Sequence, residues 1–278
     1  MFKLDLGNLL VGGMLSGFIS TLAASTAMAQ KTPDFSANQA GWLAFLNDFI
    51  APASGPKPTT YDPKHPFVQN NNNSGEQPSF RIADISNPNL KPWAKESMKK
   101  ANDEVFAGKV ALTARSSCRP ASVPGFMLYV QNPVFFLHTP KQVRMIFSGD
   151  QQVRRVSLDV PHSANPKPAP YGESVGHYEE DTLVVDTIAV DKRTFVDNYR
   201  TPHTEKLHVT ERWKLIDDGK ILEVNIRVED PDTFYEPWTA IQRYRRVQRP
   251  YGEQVCAEGN AYDPFFDYNV PKADKPDF

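Results

Sequence analysis

Alternation of apolar and polar residues dominates the chain from residue 126 onwards. Nine segments there have a period of two or are rich in β-branched and aromatic residues, and short turns separate many of them. They are residues 126–131, 134–138, 142–148, 153–158, 174–178, 182–188, 205–215, 221–229 and 238–246. Sequential strands without intervening helices predict a mainly β fold, an antiparallel up-and-down meander or lipocalin-like β-barrel over residues 126–258.

Two earlier segments have a period close to 3.6. Apolar residues recur at three- and four-residue spacing over residues 36–50, which predicts a first helix. A second helix is predicted to begin at the Asn87-Pro88 pair and to stop before Gly108. We therefore expect residues 30–125 to be an irregular and helical segment that packs on the barrel. Residues 259–278 are expected to form a C-terminal tail.

The first 29 residues have the pattern of a secretory signal peptide. Lys3 is followed by a long apolar stretch, and Ala27-Met28-Ala29 supplies the small residues that precede a cleavage site. A retained membrane anchor is the alternative, but the stretch is shorter than the roughly 20 residues that a spanning helix needs. We expect cleavage after Ala29 and a periplasmic or secreted mature protein without a membrane span.

Charge and cysteine content limit the partners and the chemistry. The formal net charge is −2, so the sequence offers no basic face for nucleic acid and no polybasic membrane patch. The sequence does not determine the oligomeric state and is compatible with a homo-oligomer. Cys118 and Cys256 are an isolated pair in an exported chain and are expected to form a disulfide. A nucleophilic cysteine is the weaker alternative, because neither has a neighbouring histidine.

The densest polar stretch lies in the strand predicted over residues 205–215. Alternation places Glu211 and Trp213 on an apolar face, with His208 and Arg212 on the opposite, polar face. That polar face is either a solvated exterior with cross-strand ion pairs or a polar lumen in which a ligand is bound. Glu211 interrupts the apolar face and must be paired, with Arg144 or another buried arginine, or have a raised pKa.

Three further residues are candidates for chemistry in loops and buried strands. His162 and His203 each follow a proline in a long loop. Asp186 follows two valines in a strand that looks buried, so its carboxylate needs a hydrogen-bonding or charged partner. The histidines are candidate acid–base groups or simply hydrogen-bonded loop residues. The spacing of histidine and glutamate from His203 to Glu211 resembles a metal-binding motif. On a strand, however, His208 and Glu211 point to opposite faces and cannot bind one metal ion, so we predict no metal site.

Sequence motifs for nucleotide and dithiol chemistry are absent from the chain. There is no P-loop, no G-x-G-x-x-G after a strand and no C-x-x-C. We therefore predict no cofactor. Proton transfer among His, Glu, Tyr and Arg is the chemistry that the sequence favours.

Several motifs between residues 88 and 258 resemble a large family of exported and mostly uncharacterised bacterial proteins. The motifs are LKPWAK at 90–95, GESVGHYE at 172–179, DTLVVDT at 181–187, PHTEKLHVTER at 202–212, DP at 230–231 and PWT at 237–239. Glu180 replaces a usual turn glycine, and Ala121-Ser122 replaces a proline-glycine run. The resemblance implies export, the β fold and the cysteine pair, and its setting in plant-polymer breakdown suggests an aromatic ligand.

Three functions remain open at this point. The first is a periplasmic, cofactor-free lyase or isomerase acting on a small aromatic or apolar molecule. Its catalytic candidates are Glu211, His208, Arg144, Arg212 and His203, and its substrate-binding candidates are Trp213, Tyr235, Trp238, Asp186 and His162. The second is a lipocalin-like carrier that binds the same kind of molecule without a reaction. The third is a structural partner in the cell envelope.

Overall fold

A computed structural model describes residues 32–36, 41–66, 81–107, 120–149 and 152–248. The fold is mainly β, and nine strands close into a barrel in sequence order. The strands are β1 (Gly41–Ala44), β2 (Val134–Thr139), β3 (Gln142–Phe147), β4 (Val153–Leu158), β5 (Glu173–Glu179), β6 (Thr182–Ile188), β7 (His208–Ile216), β8 (Ile221–Glu229) and β9 (Trp238–Val247). The prediction of a mainly β fold with a barrel is confirmed.

The barrel is mixed, so the prediction of a wholly antiparallel barrel is wrong. β4 and β5 run parallel, with Val156 opposite Ser174, whereas the other neighbouring pairs are antiparallel. The reason is the proline-rich connection over residues 159–172, which is long enough to return to the starting end of β4 before β5 begins. This crossover connection places residues 159–172 beside the outer wall of the barrel.

The two predicted N-terminal helices are corrected to one helix among the described residues. Residues 41–44, inside the first predicted helix, form strand β1, and β1 closes the barrel by pairing with β9 and β2. The second helix, α1, spans Pro92–Phe106 and has Lys91 rather than Asn87 as its N-cap. Asn87 instead accepts a backbone hydrogen bond from Asn89 in the preceding turn. A proline at the first helical turn fits the observed start.

The segment predicted as a strand over residues 126–131 begins as a 3-10 turn, Gly125–Leu128. All four residues of this turn are buried, and Phe126 packs against the rings of Phe147 and Trp213. Trp213 also contacts Phe136 and Tyr244. Aromatic side chains from the turn and from several strands therefore fill the interior of the barrel.

Among the described residues, no helix is long and apolar enough to cross a membrane. The predicted signal peptide and both cysteines lie outside the described residues.

Candidate functional site

The interior of the barrel holds a buried ion pair between Arg154 on β4 and Glu211 on β7. Arg154 is 1% exposed and Glu211 is 0% exposed. Two nitrogens of the guanidinium donate to the two carboxylate oxygens, at 2.8 and 2.9 Å. The prediction that Glu211 is paired is confirmed, but its partner is Arg154 and not Arg144.

Further hydrogen bonds satisfy the polar atoms of this ion pair. The indole N–H of Trp213 donates to Glu211 at 2.8 Å. Arg154 also donates to Ser174 Oγ at 3.1 Å and to Thr187 Oγ1 at 2.8 Å, and its guanidinium lies 5.2 Å from the ring centre of Phe126. A carboxylate that is buried and bonded on both oxygens is held in one place, so we assign Glu211 a structural role in the barrel interior.

A second charged cluster lies on the outer wall, where the crossover connection passes over β6. Asp186 on β6 is bonded to two imidazoles: His162 Nε2 lies 2.7 Å from Oδ1, and His208 Nε2 lies 2.6 Å from Oδ2. His162 belongs to the crossover connection, and His208 begins β7. Three segments that are distant in sequence therefore meet at one carboxylate.

The other nitrogen of each imidazole also faces a carboxylate. His162 Nδ1 lies 3.0 Å from Glu173 Oε1, and His208 Nδ1 lies 3.3 Å from Glu229 Oε1. The five side chains thus form an alternating chain in the order Glu173, His162, Asp186, His208, Glu229. We call this set the histidine–carboxylate chain. Each imidazole thus lies between two carboxylates.

Proton affinities at this chain follow from its hydrogen bonds. The hydrogen bond to Asp186 raises the pKa of His208, although burial opposes this rise. Burial alone would raise the pKa of Asp186, but the hydrogen bonds from His208 and His162 outweigh it, so the pKa is lowered. Hydrogen bonds from Ser163 likewise lower the pKa of Glu173. These hydrogen bonds therefore favour the ionised forms of Asp186 and Glu173 and the charged form of His208.

An open pocket of about 170 Å³ adjoins Asp186 on the outer wall. It is lined by Asp159, Val160, Val175, Gly176, His177, Val184 and Asp186. Three valines give it an apolar surface, and Asp186 brings the histidine–carboxylate chain to its edge. A cavity of roughly 150 Å³ accommodates one benzene ring, so this pocket has the size for a single aromatic ring.

The polar face of β7 lies on the exterior of the barrel and does not line a lumen. Arg212 is exposed and donates to Glu179 at 2.7 Å, and Lys214 lies 3.1 Å from Asp181. Both are cross-strand ion pairs of the kind expected on a solvated surface. Arg144 also points outward and bonds to Gln142. The structure therefore separates Arg144 and Arg212 from Glu211, which they were expected to accompany.

The three aromatic residues predicted to hold a ring contact different groups. Trp213 is in the barrel interior, and Trp238 is buried against Phe49 and Phe234. Tyr235 is 62% exposed, with the ammonium of Lys91 5.7 Å from its ring centre. The structure does not bring these three rings together around a ligand.

His203 is a buried loop histidine. It is 3% exposed, and its two ring nitrogens lie 2.9 Å from Thr194 Oγ1 and 2.9 Å from the carbonyl oxygen of Thr204. Because the carbonyl can only accept, Nδ1 donates to it. Burial lowers the pKa of His203. Its contacts are those of a structural residue.

Only three members of the histidine–carboxylate chain and its pocket are candidates from the sequence. His162, Asp186 and His208 were candidates, whereas Glu173, Glu229 and the pocket residue His177 were not. Alternation along β5 could have indicated that Glu173 and His177 share the outer face with Val175. In the described part of the chain, no three His, Cys, Asp or Glu side chains have the arrangement to hold a metal ion.

The chain was also compared with known proteins. No family model, no curated protein and no solved structure matches it. The resemblance to a family of exported bacterial proteins therefore stays a prediction, and the function has to be argued from the site itself.

Proposed function

We propose that this protein is an exported enzyme that catalyses proton transfer on a small aromatic or apolar molecule, as a lyase or an isomerase. The observation that carries the proposal is the pairing of Asp186 with two imidazoles at the edge of an apolar pocket. A carboxylate at an apolar site serves as a general base for the removal of a proton from carbon. No cofactor enters this reaction.

Asp186 is the general base in this proposal. Each of its oxygens accepts one imidazole hydrogen bond, and a carboxylate has about four acceptor positions in all, so positions remain for a substrate in the pocket. His162 and His208 orient the carboxylate and lower its pKa, so Asp186 is held ionised but is a weaker base than a free carboxylate. Removal of the substrate proton gives a carbanion or a concerted elimination, which are the first steps of isomerases and lyases.

The lining of the pocket indicates which kind of substrate it can bind. Val160, Val175 and Val184 line the pocket, and no lysine or arginine is among its lining residues. The polar residues of the lining are Asp159, Asp186 and His177. A neutral molecule with one aromatic ring fits both the surface and the volume.

A lipocalin-like carrier is the alternative that the barrel suggests. A carrier of that kind holds its ligand inside the barrel, and here Phe126, Trp213 and the Arg154–Glu211 ion pair fill the interior. The contents of the interior therefore favour the outer-wall enzyme over the carrier. Export to the periplasm or beyond is part of the proposal and depends on residues 1–29.

Mass spectrometry of a lignocellulose extract incubated with the mature protein tests the proposal. We expect a compound to disappear while a related mass appears, with wild type and Asp232→Asn but not with Asp186→Asn. Asp232 is the matched control because it pairs with Lys206 on the surface, away from the pocket. A compound that is depleted and then recovered unchanged would make the protein a carrier. Equal turnover by both variants would remove Asp186 from the chemistry.

A further inference from the structure

His177 lies on the same wall of the pocket as Asp186, on the neighbouring strand. In the ladder of β5 and β6, Val175 is opposite Asp186 and His177 is opposite Val184. All four side chains line the pocket. His177 and Asp186 are therefore diagonal neighbours, with the two valines at the other corners.

The diagonal spacing leaves room for a substrate between the two polar side chains. Diagonal neighbours on one face of an antiparallel pair are about 7–8 Å apart, and here Asp186 bonds to His162 and His208 while His177 bonds to Glu179. The valines give this gap an apolar floor. A planar ring lying on them would have the carboxylate at one edge and the imidazole at the other.

The imidazole of His177 is held in place by a carboxylate. His177 Nε2 lies 3.1 Å from Glu179 Oε1, and the other oxygen of Glu179 accepts from Arg212 at 2.7 Å. When Nε2–H donates to Glu179, Nδ1 is the ring atom left for a substrate. A carboxylate that orients a histidine through one nitrogen while the other nitrogen acts on the substrate is a recurring catalytic arrangement.

We infer that His177 is the general acid of this site, opposite Asp186, and that Glu179 is its positioning residue. This inference rests on the proposed function, because it assumes that Asp186 removes the proton. As Asp186 takes a proton from carbon, the electrons of the C–H bond form a new π bond and a bond to a leaving oxygen breaks. For this step His177 starts doubly protonated: its Nδ1 proton goes to that oxygen, and its Nε2 proton stays in the hydrogen bond to Glu179. The substrate class is a small aromatic molecule with a carbon acid and an oxygen leaving group.

Nitrobenzisoxazole is a suitable probe for this chemistry. A base removes its ring C–H proton, the electrons form a nitrile, the N–O bond breaks and the oxygen leaves as a phenoxide that absorbs visible light. The reaction needs no oxidant, reductant or second substrate. Unsubstituted benzisoxazole has a poorer leaving oxygen and depends more strongly on a general acid, so the two probes together report on His177.

The test compares His177→Gln with His65→Gln in the mature protein. His65 is a matched control, since it is an exposed histidine that is hydrogen-bonded to Asp62 at 3.1 Å, and it does not line the pocket. We expect His177→Gln to lower kcat by about 10-fold on nitrobenzisoxazole and by about 100-fold on unsubstituted benzisoxazole, with little change in KM. We expect Glu179→Gln to lower kcat less, and His65→Gln to have no effect.

The outcomes distinguish this inference from the proposed function. If Asp186→Asn stops turnover while His177→Gln and His65→Gln behave alike on both probes, the role of His177 is overturned and the proposed function stands. If His177→Gln reduces both probes equally, the residue is not the acid and the inference is likewise overturned. If the wild type does not turn over either probe, or if Asp186→Asn turns them over at the wild-type rate, both the inference about His177 and the proposed function are overturned.

Discussion

The barrel interior and the outer wall both contain ionised groups, but their surroundings differ. The Arg154–Glu211 pair is at most 1% exposed and has every charged partner fixed by hydrogen bonds. The side chains of the histidine–carboxylate chain are 21–36% exposed, and they adjoin an open pocket. Inside, the charges hold strands β4 and β7 together. On the wall, they are accessible to a molecule from solvent and can exchange a proton.

The difference shows why a buried charge is a poor guide to an active site. Glu211 is the most conspicuous carboxylate in the sequence because it interrupts an apolar face. Its oxygens, however, accept hydrogen bonds from Arg154 and Trp213, and in the described part of the chain no residue of the pocket is hydrogen-bonded to them. Asp186 is less conspicuous in the sequence, yet it adjoins both the imidazoles and the pocket.

Removal of one interior charge should have the largest effect on stability. Glu211→Gln leaves the guanidinium of Arg154 buried without its counter-charge, which costs about 3–5 kcal/mol of unfolding free energy. Glu223→Gln is the matched exterior variant, because Glu223 pairs with Arg243 on the surface at 2.7 Å, and should cost less than about 1 kcal/mol. Urea denaturation of both variants measures the contrast. Equal losses would contradict the structural role of Glu211.

Replacement of both interior charges by apolar residues should recover part of that loss. The double variant Arg154→Met, Glu211→Leu removes both charges together, so neither is left buried alone. Trp213 loses the acceptor of its indole N–H, which costs about 1–2 kcal/mol. We expect the double variant to be about 2 kcal/mol more stable than Glu211→Gln in the same urea experiment. A double variant less stable than Glu211→Gln would show that the ion pair contributes more to the free energy of unfolding than the neutralisation of its two charges.

Two histidines should change stability with pH in opposite directions. Burial lowers the folded pKa of His203, so its contribution to stability is lost as pH falls below its ordinary value of about 6.5. The folded pKa of His208 is raised, so its contribution is present below about pH 6.5 and is lost as pH rises through the folded pKa. For the partly exposed His208 we expect less than about 1 kcal/mol.

Urea denaturation of His203→Gln, His208→Gln and wild type between about pH 5 and about pH 9 measures this contrast. The gap between wild type and His208→Gln should shrink with rising pH, and the gap between wild type and His203→Gln should shrink with falling pH. Parallel pH dependences in the two variants would contradict the different surroundings assigned to the two rings.

Salt should produce the smallest effect and should act on the wall alone. Exposed ion pairs such as Arg212–Glu179 are screened when ionic strength rises from about 0.1 M to about 1 M, so their coupling energy should fall by a few tenths of a kcal/mol. Double-mutant cycles on Arg212–Glu179 and on Arg154–Glu211 at the two salt concentrations measure the difference. A salt-sensitive interior pair would mean that water reaches it.

Much of the barrel could be predicted from the sequence because strand periodicity is a local property. β2, β3, β4, β6, β8 and β9 coincide with predicted segments to within a residue or two. β1 was assigned to a helix because four residues, with Trp42 and Leu43 among them, are too few to distinguish the two periods. Parallel pairing of β4 and β5 depends on the path of a long connection, which local periodicity does not encode.

Only part of the site could be predicted for the same reason. Alternation places Glu211 on the apolar face of its strand, and the same rule places Arg154 on one face with Val156 and Leu158, so the ion-pair partner could have been found. The meeting of His162, Asp186 and His208 depends on the crossover connection and on the register of β6 and β7. Those are tertiary features, so the sequence identifies these three residues as separate candidates and does not show that they meet.

The most direct test of the central claim is the rate of nitrobenzisoxazole ring opening by Asp186→Asn beside Asp232→Asn. The outer-wall site predicts that Asp186→Asn loses at least about 100-fold in kcat/KM, while Asp232→Asn keeps the wild-type rate. Both variants should keep the wild-type free energy of unfolding in urea to within about 1 kcal/mol. Equal rates for the two variants would contradict the claim that protons are transferred at Asp186.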